Sequence, residues 1–131
     1  MKRQPNHPWD AACKLELYRA PPNPGATPVL LDRGVNFFIL ILEELGAVTH
    51  WSCDGHGNPD YFYIVFEAPY KLALKIQSAG FFDVQIERHN VWSLRFNWVL
   101  RSRTSSYKLT RALRAAANAW IRTFGFSTEV I

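Results

Sequence analysis

The sequence predicts an α+β domain, a mainly antiparallel sheet of four or five strands with helices packed on one face, in the order αββαββα. Three observations carry this. Apolar and polar residues alternate with period two from Phe82 to Trp98, interrupted once at His89-Asn90. Apolar residues recur at helical spacing over residues 35–45 and again over 109–124. Between the first helix and the alternating segment lie two apolar runs separated by Asp54-Gly55-His56-Gly57-Asn58-Pro59, the pattern of strand, loop and strand.

A chain of 131 residues, 48% hydrophobic and 15% aromatic, has enough apolar surface for one core. Its longest apolar run, residues 35–42, is interrupted by Asn36 and falls well short of the roughly 20 residues that span a bilayer. Met1-Lys2-Arg3-Gln4-Pro5 does not lead into the apolar region of a secretory signal, so a soluble cytoplasmic protein with no membrane partner is expected. In that compartment Cys13 and Cys53 stay thiols.

Six of the eight prolines fall within residues 1–28, at Pro5, Pro8, Pro21, Pro22, Pro24 and Pro28. Such density speaks against a regular helix, so residues 1–28 read as a proline-rich arm and 29–131 as a single α+β domain. Within the arm, residues 13–18 alternate and read as an added edge strand. Asp32 is placed to cap a helix with Val35, Phe38, Ile39, Leu42 and Leu45 inward and Gly46 as its stop. Phe37, Leu40 and Ile41 widen that stripe until the helix is apolar on most of its circumference, which calls for near-complete burial or a partner subunit.

Residues 47–53 and 61–66 read as strands, the second apolar on both faces and therefore central. Pro69 starts a short helix with Leu72 and Ile76 inward, and Gly80 ends it. The alternating segment is a hairpin turning at His89-Asn90, with Phe82, Val84, Ile86, Trp92, Leu94, Phe96 and Trp98 on one face. Thr104, Ser105 or Ser106 caps a last helix that ends at Gly125 and buries Leu109, Leu113, Ala116, Trp120 and Phe124.

The loop after the first long strand concentrates reactive side chains. Cys53 with His56 or His50 has the composition of a nucleophile and its base, with Asp54 as the third member, because a thiol needs a nearby imidazole or cation to ionise at neutral pH. His50, Cys53 and His56, at intervals of three, also offer metal ligands with Asp54 beside them. Strand alternation opposes this set, since it puts His50 and Cys53 on opposite faces. The plain structural alternative makes Cys53 a small core residue, Asp54-Gly55 a turn and His56 a solvated loop residue. No catalytic or metal-ligating residue is committed on this pattern, and no cofactor is expected.

Charge separates along the chain. Residues 1–87 carry 7 Lys+Arg and 10 Asp+Glu, whereas residues 88–131 carry 8 and 1. In the last helix Lys108, Arg111, Arg114 and Arg122 recur on one face, preceded by Arg101 and Arg103, and no acid occurs between Arg88 and Arg122. A helix face that is merely solvated usually mixes signs, so these six residues are the candidate binding set for nucleic acid or an acidic protein surface. Self-association into a homodimer is a further partner reading.

The stretch Ala-Val-Thr-His-Trp-Ser-Cys-Asp-Gly-His-Gly-Asn-Pro-Asp-Tyr-Phe-Tyr-Ile-Val-Phe-Glu-Ala-Pro-Tyr, from Ala47 to Tyr70, resembles uncharacterised small bacterial proteins of phages and mobile elements that carry a Ser-Cys-Asp-Gly-His motif. The closing Arg-Ala-Leu-Arg-Ala-Ala-Ala-Asn-Ala-Trp helix extends the likeness over roughly residues 35–125. The resemblance implies an accessory or anti-defence factor that binds host machinery, such as an anti-CRISPR-like inhibitor, and carries over no functional residue. A fainter likeness, to the tRNA wybutosine methyltransferase group, rests on Ser-Cys-x-Gly after a helix; His56 stands where that group has arginine, and this chain is far shorter. The expectation is thus a binding protein, against a small Cys/His-dependent or zinc-dependent enzyme, hydrolytic or acting on a nucleotide, centred on residues 53–56.

Overall fold

The structure is a computed structural model and describes residues 7–20, 23–104 and 108–125. Helix α1 (Pro8–Cys13) opens the described chain and is followed by a small antiparallel ribbon of β1 (Tyr18–Arg19) and β2 (Val29–Leu30). A 3-10 turn (Arg33–Val35) runs into α2 (Asn36–Glu44). Then come β3 (Val48–Asp54), a 3-10 turn (Pro59–Tyr61), β4 (Phe62–Glu67), α3 (Tyr70–Ser78), β5 (Phe82–Arg88), β6 (Val91–Phe96), α4 (Trp98–Arg103) and α5 (Leu109–Phe124). The larger sheet has the order β3-β4-β6-β5, antiparallel throughout, so the expected α+β arrangement of helices on an antiparallel sheet is present.

Strand β4 is central, as its two apolar faces predict. Its Phe62, Ile64 and Phe66 are fully buried; Ile64 and Phe66 stand in register with Leu94 and Trp92 of β6, and the Phe62 ring packs on Phe96 at a centroid separation of 5.0 Å. Phe82 and Val84 of β5 extend two of those rows. Helix α2 drives Phe38 into this surface, edge-to-face with Phe37, Phe62, Phe82 and Trp120 at centroid separations of 5.3, 5.9, 5.3 and 5.0 Å. Such aromatic pairs add about 0.5–1.5 kcal/mol each beyond their burial, which makes Phe38 the joint between sheet, α2 and α5. The near-complete burial expected of α2 is met: Phe37, Phe38, Ile41 and Leu42 have no exposed surface.

The left-handed Gly46 and Gly125 follow α2 and α5 where the sequence places their stops. The hairpin turns at His89-Asn90, with Asn90 at φ 59.

Five expectations need correction. Proline density does not exclude a helix near the N-terminus: Pro8 sits in the first turn of α1, where a missing N–H costs nothing. Trp9 and Ala12 of that helix are buried in the common core. The alternation of residues 13–18 does not add a strand to the main sheet, because only Tyr18–Arg19 is extended and it pairs with β2. Strand β6 stops at Phe96 and Trp98 begins α4, so Arg101 and Arg103 stand on a helix separate from α5. Ile86 is 65% exposed, toward the end of the edge strand β5, and so does not join the buried face. Among the cap candidates of α5, Thr104 instead closes α4, donating its N–H to Leu100, while Ser105 and Ser106 lie outside the described residues, as do Pro5, Pro21 and Pro22. Both cysteines are free thiols. Among the described residues no helix is long and apolar enough to cross a membrane.

Candidate functional site

The end of β3 and the loop after it form a tight corner. Gly55, His56 and Gly57 are all left-handed, at φ 86, 48 and 91, which folds the chain back on itself within three residues. At Gly55 the turn also excludes a side chain, since a Cβ there would lie 2.2 Å from the Asn58 carbonyl oxygen. His56 adopts a conformation costly for a side-chain-bearing residue, and a hydrogen bond from its N–H to Asp54 Oδ1 at 2.9 Å holds it there.

The 3-10 turn before α2 docks on this corner. Gly34 donates its N–H to Asp54 Oδ2 at 3.2 Å, and a Cβ at Gly34 would come within 2.7 Å of Asp54 Cβ, so only glycine permits the approach. The Gly34 carbonyl in turn accepts the buried indole N–H of Trp9 at 3.0 Å. Asn36, fully buried, donates to the carbonyls of Ala12 and Leu15. Helix α1 is therefore the buttress of the turn that carries Asp32.

Asp32 is the residue that sequence reasoning misread. It sits at the N-cap position, but its carboxylate makes no cap bond and instead accepts the Asp54 N–H at 3.2 Å. This brings Asp32 together with Cys53, Asp54 and His56, whose candidate ligand atoms all lie within 4.8 Å of one another. His56 Nε2 is 3.5 Å from Asp32 and its Nδ1 3.6 Å from Asp54, while its side chain is 74% exposed. A preference for helix N-termini gave Asp32 a sufficient local explanation, which hid the contact 22 residues away.

Cys53, Asp54 and His56 are thus assembled as a group, and His50 is not. A register shift between Thr49 and Trp51 displaces His50 from the strand's regular alternation. Its Nε2 is 3.6 Å from Glu67, too long for a hydrogen bond, and its carbonyl accepts the Arg19 guanidinium. It faces the ribbon side, where β1 and β3 line a cleft of about 750 Å3. A second groove of about 310 Å3 opens beside Asp54 and Gly57, bounded by Trp9, Arg33 and the first turn of α5.

Burial pushes the Cys53 thiol up from its ordinary value; the Gly55 N–H opposes this, and Asp32 and Asp54 reinforce it. Cys13 is pushed up to about 11, first by burial and then by Asp10. A nucleophilic cysteine needs the opposite shift.

The cationic candidates divide as well. Leu109, Leu113, Ala116 and Trp120 form the buried stripe of α5, and Arg111, Arg114, Asn118 and Arg122 lie on its exposed side. Arg114 is committed within the fold: its Nε and one terminal nitrogen meet the two oxygens of Asp10 at 2.9 and 2.8 Å. The same guanidinium lies over the Trp9 ring. Arg101 is half-buried, and its Nε has no hydrogen-bond partner among the described residues. Arg103, Lys108, Arg111 and Arg122 are exposed. Among the described residues, no acid pairs with Arg103, Arg111 or Arg122.

No protein-family model, curated protein or solved structure matches the chain.

Proposed function

We propose that this is a non-enzymatic binding protein that docks a polyanionic surface, an acidic protein face or a nucleic-acid backbone, on the exposed side of α5. Its setting is that of a phage or mobile-element accessory factor, with a host defence complex as target. The observation that supports the reading is the pairing pattern: Arg111 and Arg122 stand opposite the buried stripe without an acid among the described residues, in the part of the chain that carries 8 bases and 1 acid. Arg103 and Lys108 extend the same sign toward the start of the helix. Arg114 and Arg101 are left out of the contact set, the first because Asp10 already neutralises it and the second because it is half-buried.

Titrating labelled duplex DNA and a labelled polyglutamate peptide over a range of salt concentrations tests the reading and separates its two partner classes. Counterion release makes affinity for a nucleic acid fall with salt, by a log–log slope of about 0.9 per neutralised phosphate for B-DNA. The double substitution Arg111→Gln with Arg122→Gln should then reduce the slope by about 2. No binding of either probe at low salt, or a slope untouched by the substitutions, rejects the proposal.

The competing reading, a small enzyme built on Cys53, Asp54 and His56, draws on their assembly at one corner. In its thiol-nucleophile form it requires a depressed Cys53 pKa, and burial raises it.

A further inference from the structure

We infer that Asp32, Cys53, Asp54 and His56 together form a binding site for a divalent transition metal, zinc, that clasps the turn before α2 to the end of β3. This goes beyond the polyanion reading and is independent of it.

The donor set selects the metal. One thiol, one imidazole and two carboxylates suit a borderline-soft ion, whereas magnesium and calcium take oxygen ligands alone. The thiol and the imidazole also distinguish this group from an ordinary acidic patch. Four protein donors complete a tetrahedral shell, the arrangement of a structural site.

Geometry supports the same assignment. The candidate ligand atoms lie within 4.8 Å of one another, and a tetrahedral zinc with bonds of about 2.0–2.3 Å holds its donors roughly 3.3–3.8 Å apart. Closing that gap requires a contraction of about 1 Å. The exposed His56 side chain is best placed to supply it, since the 30%-exposed Asp32 carboxylate already accepts the Asp54 N–H. Asp54 is fixed more firmly, because the Gly34 and His56 N–H groups hold one oxygen each. Both act as outer supports that orient a ligand. The His56 ring lies 3.5 Å from Asp32 and 3.6 Å from Asp54, and a divalent cation would balance the charge of the two carboxylates gathered there.

The site joins segments distant in sequence. Asp32 precedes α2, whereas Cys53 and Asp54 close β3 and His56 follows it, so metal binding favours the folded chain by mass action.

Calorimetric titration of the full chain with zinc, and with cobalt as a spectroscopic probe, tests the inference. One equivalent should bind, cobalt should show a thiolate charge-transfer band, and zinc at a hundredfold excess over Kd should raise Tm by roughly 5–10 °C, reversed by a chelator. Cys53→Ser should abolish the band. His56→Asn, which keeps a residue tolerant of the left-handed conformation and so preserves the loop, should weaken zinc binding at least about 10–100-fold. Cys13→Ser and His50→Ala should leave binding unchanged. Failure to bind zinc or cobalt stoichiometrically by a chain with a native circular dichroism spectrum overturns the inference. So does binding that survives both Cys53→Ser and His56→Asn, or a preference for magnesium or calcium. None of these outcomes bears on Arg111 and Arg122, so the two proposals fail separately.

Discussion

The corner at residues 53–57 and the exposed side of α5 both gather charged or reactive side chains, by opposite means. At the corner, backbone geometry does the gathering: three consecutive left-handed residues and a glycine approach from the turn before α2 bring four functional groups within 4.8 Å. On α5 the helical repeat does it along a regular helix, and among the described residues Arg114 alone of the three arginines Arg111, Arg114 and Arg122 is drawn to an acid, Asp10. A site of the first kind is sensitive to any change in chain conformation; one of the second kind responds only to a change of charge.

Substitutions break or sharpen this contrast in descending order of effect. Gly55→Ala should be the most damaging, by about 3–5 kcal/mol in chemical unfolding, because a Cβ both meets the Asn58 carbonyl and must tolerate φ 86. Gly57→Ala, at φ 91 but with open space around it, is the internal control and should cost only about 1–2 kcal/mol. Similar losses at both positions would mean that the turn is less tightly closed than its geometry implies.

Gly34→Ala should cost about 1–3 kcal/mol and displace Asp54, seen as altered chemical shifts at the amides of residues 34 and 56.

Asp10→Asn tests a cation of α5 that is tied into the fold, Arg114. With the guanidinium side chain 45% exposed and screened, the expected loss at neutral pH is about 0.5–1 kcal/mol. Hydrogen bonding to Arg114 holds the Asp10 carboxyl below its ordinary 3.8. A depressed carboxyl stabilises the fold above its unfolded pKa, and the contribution disappears as pH falls through the folded value. The difference between the two proteins should therefore be full above about pH 4 and vanish in stronger acid, as followed by thermal melts across that range. Arg111→Gln with Arg122→Gln should change stability by less than about 0.5 kcal/mol, leaving any loss of binding attributable to charge.

The sequence made much of the frame legible where local signals sufficed. Alternation along the hairpin and the left-handed glycines after α2 and α5 needed no tertiary information. The same was true of the doubly apolar strand at the centre of the sheet. What remained hidden depended on distant partners. Arg114 belongs to a uniform cationic stripe in sequence, yet its counter-ion lies 104 residues away on a helix that proline density concealed. Asp32 carries a complete local explanation as a cap and uses none of it. Cys53, Asp54 and His56 were recognisable as a cluster from spacing alone, because a turn confines them; alternation already set His50 apart from them, and an irregularity in strand pairing leaves it outside the ladder.

That irregularity has a counterpart across the sheet. The two outermost strands, β3 and β5, each carry a register shift, between Thr49 and Trp51 in one and between Ile86 and Arg88 in the other. An uninterrupted border invites a second molecule to zip on, main chain to main chain, and kinked borders are how β proteins decline. With both margins interrupted, self-assembly through extension of the sheet into fibrils is discouraged from the start, leaving side-chain surfaces as the means of meeting other molecules.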